Sequence, residues 1–200
     1  MSEGTSSTRD RLLAAAERLF SAKDPDQVSV RAINAEAGLN PGAVHYHFGS
    51  REGLVAALLE RELVPLWADR LAPIVQRSER PGETGPFAVA DLVAALVQPF
   101  EELARTEKGR MLCRLLARSV LPRWRMPISS PWFSPAPFEV MLGRAMPELP
   151  VREISDRWRL AFTLLLEIYG HASGPSSDRP PVPPGTVVAF ITAGLTAPAR

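Results

Sequence analysis

A chain of 200 residues, 46% of them hydrophobic and 22% charged, has the composition of a globular protein rather than a disordered or fibrous one. No stretch approaches the ~18 consecutive apolar residues of a membrane span, the polar start predicts no signal peptide, and a single cysteine, Cys113, excludes an internal disulfide. We therefore expect a cytoplasmic protein outside any membrane. Residues 1–50 hold five Lys and Arg against six Asp and Glu, a balance that argues mildly against nucleic-acid binding.

The first two predicted helices are short and clearly delimited. An apolar stripe at helical spacing follows Thr8, a candidate N-cap, and the segment Asp24-Pro25-Asp26 ends this first helix. Ser29 is the candidate N-cap of the second helix, and Gly38 suits the left-handed position at which a helix stops.

A third helix is predicted only one residue later. Asn40 and Pro41 form an N-cap followed by proline at the first helical position, and the helix runs to about Phe48 before Gly49. Ser50 then caps a long fourth helix. These closely spaced starts and stops predict a compact three-helix head over residues 1–50.

The rest of the chain, residues 51–200, predicts a second, wholly helical domain. Pro65 is expected to kink or divide the fourth helix, because proline removes a backbone donor and crowds the preceding turn. Further helices are expected over about 89–105, with a bend near Pro99, and over 110–121, 138–145, 150–169 and 187–195. No alternating strand pattern occurs, so the predicted fold class is all-α.

Two short helices joined by a tight glycine-containing turn form a helix-turn-helix, whose second helix enters the DNA major groove. Here that unit is residues 30–37, the turn 38–40 and residues 41–48. With Val44 and Phe48 facing inward, the residues left facing outward or sideways are Gly42, Ala43, His45, Tyr46 and His47. The alternative is an ordinary helical hairpin, but exposed His-Tyr-His beside Gly-Ala serves no packing purpose.

The segment VSVRAINAEAGLNPGAVHYHFGSREGLVAALL resembles the DNA-binding head of the tetracycline-repressor (TetR) family of bacterial regulators, over about residues 8–60. The resemblance implies an all-α homodimer, with the head joined by a long helix to a carboxy-terminal effector and dimerisation domain. It implies that bases are faced by Gly42, Ala43 and His45. It implies that the DNA backbone is held by Arg31, Tyr46, His47 and Arg51, with Ser29 contributing its hydroxyl or helix-start amides.

The chain departs from this family pattern at two positions. His45 stands where tyrosine is commonest, which bears on the base preference. Asn34 stands where a small alanine usually follows Ile33, and we expect this second departure to change local packing only.

In the carboxy-terminal half, the helices over about 150–170 and 185–197 carry wide apolar faces. Such faces suit a four-helix interface between two copies, with Leu165 and Ile191 on the expected contact stripes. Internal core is the alternative for each helix taken singly.

The same half is rich in aromatic residues and methionine, which suit an apolar ligand pocket. The candidate lining residues are Phe100, Met111, Trp124, Trp158, Phe162 and Tyr169, together with the neighbouring Trp132, Phe133 and Phe138. Plain core is the alternative for each of them.

Other constellations favour no chemistry. His45, His47 and His171 lack metal-ligand spacing with acids or with Cys113, so we expect no metal site. Cys113 reads as a buried core thiol, and the pair 101–102, two glutamates, as a solvated face. Without a catalytic constellation or phosphate loop, we expect no enzyme and no cofactor.

These patterns together predict a transcriptional regulator, more readily a repressor, that binds a palindromic operator in double-stranded DNA as a homodimer. A small, largely apolar effector is expected to release it from DNA through a change in the inclination of the fourth helix at Pro65. One alternative is a regulator controlled by a protein partner without a small-molecule effector. The other, of a different class, is an enzyme or ligand carrier that retains a helix-turn-helix head.

Overall fold

The described part of the chain is built from α-helices. A computed structural model describes residues 7–78, 86–122, 130, 134–171 and 182–198, and within these ranges it holds no strand. In chain order the helices are α1 (Thr8–Ala22), α2 (Val30–Glu36), α3 (Ala43–Phe48), α4 (Arg51–Ser78), α5 (Pro86–Ala104), α6 (Glu107–Val120), α7 (Ala136–Ala145), α8 (Val151–Gly170) and α9 (Pro184–Thr196). The predicted all-α class is confirmed.

Serine side chains set the starts of three helices in the head. Ser7, Ser29 and Ser50 precede α1, α2 and α4, and each hydroxyl oxygen accepts a hydrogen bond from the N–H three residues further on, at 3.1, 3.1 and 3.0 Å. The N-caps predicted at Ser29 and Ser50 are confirmed. The cap of α1 lies one residue before the predicted Thr8.

Glycines set the ends of α2 and α3. Gly38 and Gly49 have φ angles of 64° and 74°, a region that residues with a side chain rarely adopt. The helix stops predicted at both positions are confirmed.

Two further glycines mark places where backbones approach closely. A Cβ on Gly53 would lie 2.1 Å from the carbonyl oxygen of Phe48, so the first turn of α4 touches the end of α3. A Cβ on Gly170 would lie 2.3 Å from the Cβ of Ala117, so α8 crosses α6 with no room for a side chain. The first contact fixes the start of α4 against α3, and the second fixes α8 against α6.

The body is a helical bundle centred on α5. This helix packs against α4, α6 and α9, while α8 packs against α6, α7 and α9. Helix α4 continues through Pro65 and Pro73, so the division considered for Pro65 is wrong, and α5 likewise continues through Pro99. No helix in the described ranges is long and apolar enough to cross a membrane.

The head rests on α4 and α6. Both helices pack against α1, and one cluster of buried hydrophobic residues runs from Leu12 in the head to Leu195 in α9. Head and body therefore share a continuous core, and α4 contributes to both. The domain boundary after residue 50 stays a prediction.

Candidate nucleic-acid interface

The connection between α2 and α3 is longer than the sequence predicts, because it spans residues 37–42 instead of 38–40. Asn40 Oδ1 accepts a hydrogen bond from the N–H of Gly42 at 3.1 Å, and the Asn40 carbonyl accepts from Ala43 at 3.1 Å. These bonds close a turn over Pro41, and regular α-helix begins only at Ala43. Asn40 therefore has the predicted capping role, but α3 is two residues shorter than expected.

The exposed face of α3 is narrower than expected. Gly42, His45 and Tyr46 are exposed, the Tyr46 side chain to 86%, whereas His47 is half-buried. Ala43 is only 6% exposed, so it offers little surface to bases in this structure, and its base-facing role stays a prediction.

The ring of His45 is held in one orientation by its own helix end. Its Nδ1 lies 3.0 Å from the carbonyl oxygen of Gly49. A carbonyl only accepts, so this contact requires a proton on Nδ1, and in the tautomer with that single proton Nε2 is an acceptor. An acceptor on this face suits the exposed amino groups of adenine or cytosine in the major groove.

Asn34 is the residue whose role the sequence interpretation missed. Its side chain is 1% exposed and lies between α2 and α3. Oδ1 accepts from the N–H of Val44 at 3.1 Å, and Nδ2 donates to the carbonyl oxygen of Pro41 at 2.6 Å. The expectation of a packing change alone is therefore wrong, since the amide bonds the first turn of α3. A polar amide on the inward face of α2 was the available signal.

Arg9 of α1 is a second residue that the interpretation missed. Its Nη1 donates to the carbonyl oxygen of His47 at 3.2 Å, and its guanidinium lies 4.5 Å from the ring centroid of Phe48. Arg9 is exposed, so it ties α1 to the end of α3 and adds positive charge there.

Arg51 bonds the protein itself, although the sequence predicts that it contacts a DNA phosphate. Its Nε and Nη2 donate to the carbonyl oxygens of Val28 and Pro25 at 3.1 and 2.5 Å, and its guanidinium lies over the ring of Phe20. These bonds hold the start of α4 against the segment that precedes α2. By contrast, Arg31 is exposed and makes no hydrogen bond or ion pair within the part of the chain that the structure describes.

Two acidic residues of the head pair with a basic residue of the body. Arg118 of α6 makes two hydrogen bonds with the Asp24 carboxylate, at 2.6 and 3.1 Å, and an ion pair with Asp26 at 3.0 Å. The Arg118 hydrogen bond, helped by the N–H of Asp26, lowers the pKa of Asp24 to about 2. Asp24 is therefore ionised at neutral pH and paired.

A second group of charges joins α1, α4 and α6. Lys108 of α6 lies 2.8 Å from Glu17 of α1 and 2.7 Å from Glu62 of α4. Glu17 also pairs with Arg61 at 3.0 Å. Three of the six acids of residues 1–50, namely Glu17, Asp24 and Asp26, are thus paired at the joint with the body. The exposed face of α3 carries none of them.

Aromatic candidates for the ligand pocket pack against each other in two groups. Phe100 stacks on Tyr169 at 5.1 Å, and Trp158 lies between Phe138 and Phe162 at 4.2 and 5.7 Å. Phe162 is half-buried and the other four are buried, as is Met111. Trp124, Trp132 and Phe133 lie outside the described residues.

The acidic pair on α5 is not a solvated face. The Tyr169 hydroxyl donates a hydrogen bond to Glu101, and burial, together with this bond, raises the pKa of Tyr169. Arg70 donates two hydrogen bonds to Glu102, at 2.8 and 2.7 Å. Both carboxylates therefore hold neighbouring helices of the body together, which corrects the earlier interpretation.

The apolar stripes of α8 and α9 face the inside of the subunit. Leu165 and Ile191 are 1% and 4% exposed, so they belong to the core of a single chain and not to a surface between copies. Leu160 and Phe190, on the other faces of the same helices, are 65% and 69% exposed. Periodicity alone could not distinguish these two sides.

Cys113 is buried, and burial raises the pKa of its thiol to about 12. It is protonated at neutral pH, which suits the core role expected for it. Among the described residues, no group of three or more His, Cys, Asp and Glu is placed to hold a metal ion.

Sequence comparison relates the head to known regulators. Residues 12–58 match the model of the bacterial regulatory proteins, tetR family. An uncharacterized HTH-type transcriptional regulator of Mycobacterium tuberculosis is 36% identical over 74 residues, which are 36% of this chain and 37% of that protein. BetI, an HTH-type transcriptional regulator of Brucella anthropi, is 28% identical over 55% of this chain and 61% of its own length. The matches thus span less than two thirds of either relative.

Structural comparison covers nearly the whole chain. NalD of Pseudomonas aeruginosa, the secondary repressor of the MexAB-OprM multidrug efflux pump, aligns with a TM-score of 0.59 at 18% identity over 94% of this chain and 96% of NalD. SmeT, the repressor of the Stenotrophomonas maltophilia pump SmeDEF, aligns with a TM-score of 0.58 at 22% identity over 96% of this chain and 91% of SmeT. At these identities the likeness shows a common fold.

Proposed function

We propose, from the match of residues 12–58 to the tetR family of bacterial regulatory proteins, that the protein represses transcription by binding DNA in the cytoplasm. The observation that carries the proposal is the exposed face of α3, where Gly42, His45 and Tyr46 lie on the outer side of a helix-turn-helix whose inner side is buried. Repression agrees with the roles of NalD and SmeT, both efflux-pump repressors that share the fold.

We divide the contacts on this face by chemistry. Gly42 lets the backbone approach base edges, and His45 offers Nε2 to them. The exposed cation Arg31 and the exposed hydroxyl of Tyr46 suit phosphate oxygens, which any sequence presents. Arg9, His47 and the Ser29 hydroxyl join this backbone set. Arg51 supports it indirectly, because its donors already serve two carbonyls of the head.

Arg31→Ala and His45→Ala separate the two kinds of contact. Arg31→Ala is expected to weaken binding to all sequences alike and to lower the salt slope by about one unit, since one phosphate contact is lost. His45→Ala is expected to change which bases are preferred. The measurement is selection of bound sequences from random DNA, followed by affinities at several salt concentrations. Arg152→Ala, which removes an exposed arginine of α8, is the control and should alter neither property.

If both head variants relaxed the sequence preference equally, the division into base and phosphate contacts would be wrong. If neither variant bound DNA differently from the unmodified protein, the α3 face itself would be excluded as the reading surface.

We further propose that the protein is a homodimer through the outer faces of α8 and α9. No charged residue occurs between Val182 and Pro198, yet Phe190 is 69% exposed in the single chain. Small exposed residues flank Phe190, among them Ala189, Ala193 and Gly194, and these permit close approach of a second helix. A two-fold dimer places two heads on one duplex, which requires a palindromic operator.

A small, largely apolar effector is the proposed signal for release from DNA. Helix α6 is the element suited to carry this signal, because Lys108 and Arg118 bind acids of the head while the same helix packs against α5 and α8. A ligand that shifts α6 or α4 moves the head with it. Linkage then requires that operator DNA weaken ligand binding by the same factor.

The effector is tested by titrating a panel of neutral, mainly apolar compounds against the protein with and without operator. We expect a compound whose affinity falls when operator is bound, and a weaker affinity in Phe162→Ala with operator binding retained. Phe162 suits this test because it is only half-buried, whereas Trp158→Ala would cost about 3–5 kcal/mol as a core deletion. Binding that ignores DNA would indicate a ligand carrier. No binding at all would favour control by a protein partner.

A further inference from the structure

Helix α3 lacks a side-chain cap of its own at its N-terminus. It is only six residues long, and Gly42, its N-cap, has no side chain to bond the first N–H groups. The N–H of Val44 faces the interior, where Val44 is fully buried and water cannot serve as its partner. The side chain of Asn34 supplies that partner from α2.

We infer that Asn34 is a positioning residue that sets the base preference of α3. This inference rests on the proposed role of the exposed face of α3 in reading DNA. The carboxamide bonds two points of one turn, the carbonyl of Pro41 and the N–H of Val44. Between these points lie Gly42 and Ala43, and His45 follows directly. Asn34 therefore fixes the segment that carries the base-facing residues without reaching the DNA itself.

The geometry of this bridge explains why its effect concerns specificity. Each amide atom has one partner and the side chain is 1% exposed, so rotation of the first turn of α3 breaks a buried hydrogen bond. Phosphate contacts tolerate small shifts, because a cation near an oxygen attracts it over several orientations. Base contacts depend on a narrow geometry, so a loosened first turn changes discrimination more than it changes non-specific affinity.

Asn34→Ala is the direct test, because it removes both bonds and introduces the smaller residue that the family resemblance leads one to expect here. We expect the ratio of operator affinity to random-DNA affinity to fall by about tenfold, with random-DNA affinity unchanged. We also expect a different set of preferred bases in a selection from random DNA. Ile33→Val is the matched control, since it removes one buried methylene beside Asn34 and leaves the hydrogen bonds in place.

Asn34→Asp provides a second variant of nearly equal volume should Asn34→Ala fail to fold. It keeps an acceptor for Val44 but places an oxygen where Nδ2 donated to Pro41, so we expect an altered preference here too. In the unmodified protein, the Val44 amide should exchange with solvent only when the head unfolds.

An unchanged base preference and affinity ratio in the folded variant would overturn the inference and leave Asn34 as core filling. A preference changed equally by Ile33→Val would do the same, because it would trace the effect to lost stability. His45→Ala distinguishes a failure of this inference from a failure of the proposal that the exposed face of α3 reads DNA. If His45→Ala changes the base preference and Asn34→Ala does not, only the inference about Asn34 fails. If neither variant changes the base preference, the proposal that the exposed face of α3 reads DNA fails as well.

Discussion

Phe190→Asp is expected to convert a dimer into monomers and to weaken operator binding by about 10²–10⁴-fold. In a two-fold interface the substitution occurs twice, and each copy places an unpaired carboxylate opposite an uncharged helix. A monomer carries one head, so it loses the gain in affinity that comes from tethering two heads to adjacent half-sites. Leu160→Asp on α8 is expected to act in the same direction.

Two control substitutions separate dimerisation from folding. Val140→Asp introduces the same charge on α7, where the valine is 53% exposed, and should leave both the mass and the operator affinity unchanged. Leu165→Asp buries a charge inside the subunit and should unfold it. The measurements are sedimentation equilibrium at micromolar concentration and operator titration. A monomeric unmodified protein, or a Phe190→Asp variant that stays dimeric, would exclude this interface.

Gly53→Ala is expected to destabilise the protein by about 1–3 kcal/mol, although alanine is the better helix former. The added methyl carbon would lie 2.1 Å from the carbonyl oxygen of Phe48 and 3.2 Å from its carbon. Both are backbone atoms, so the end of α3 and the start of α4 must separate. Because α3 carries the reading face, operator affinity should fall as well.

Gly143→Ala on α7 provides the matched comparison. Its new Cβ would lie 3.5 Å from Cδ1 of Ile154, an ordinary contact, so this variant should gain about 0.5–1 kcal/mol from the helical backbone. Denaturant unfolding at one fixed protein concentration measures both, since dimerisation makes stability depend on concentration. Equal stabilisation by the two substitutions would mean that α4 does not approach α3 as closely as described.

Features that depend on a few consecutive residues could be predicted from the sequence. The caps at Ser29 and Ser50 and the stops at Gly38 and Gly49 follow from side-chain chemistry and backbone preference within one turn. The helix-turn-helix is made of such local signals, which explains why its position was predicted within two residues.

Features that depend on tertiary neighbours could not be predicted in this way. The bonds of Asn34 and Arg51 join residues 7 to 26 positions apart, and nothing in the local pattern identifies their partners. The burial of Ala43 depends on what covers a small methyl group. For Leu165 and Ile191, an apolar stripe shows that a helix face is buried but not whether the same chain or a second copy buries it.

The ion pairs of Arg118 and Lys108 have a consequence for exchanging parts between regulators. A chimera that joined this head to another body would keep Asp24, Asp26 and Glu17 but lose the cations that neutralise them, Lys108 and Arg118 of α6 and Arg61 of α4. The transplanted head would then carry uncompensated negative charge, which weakens its attraction to the phosphates of DNA. We therefore expect a working transplant to carry these basic residues with it or to supply others in the places of Lys108, Arg118 and Arg61.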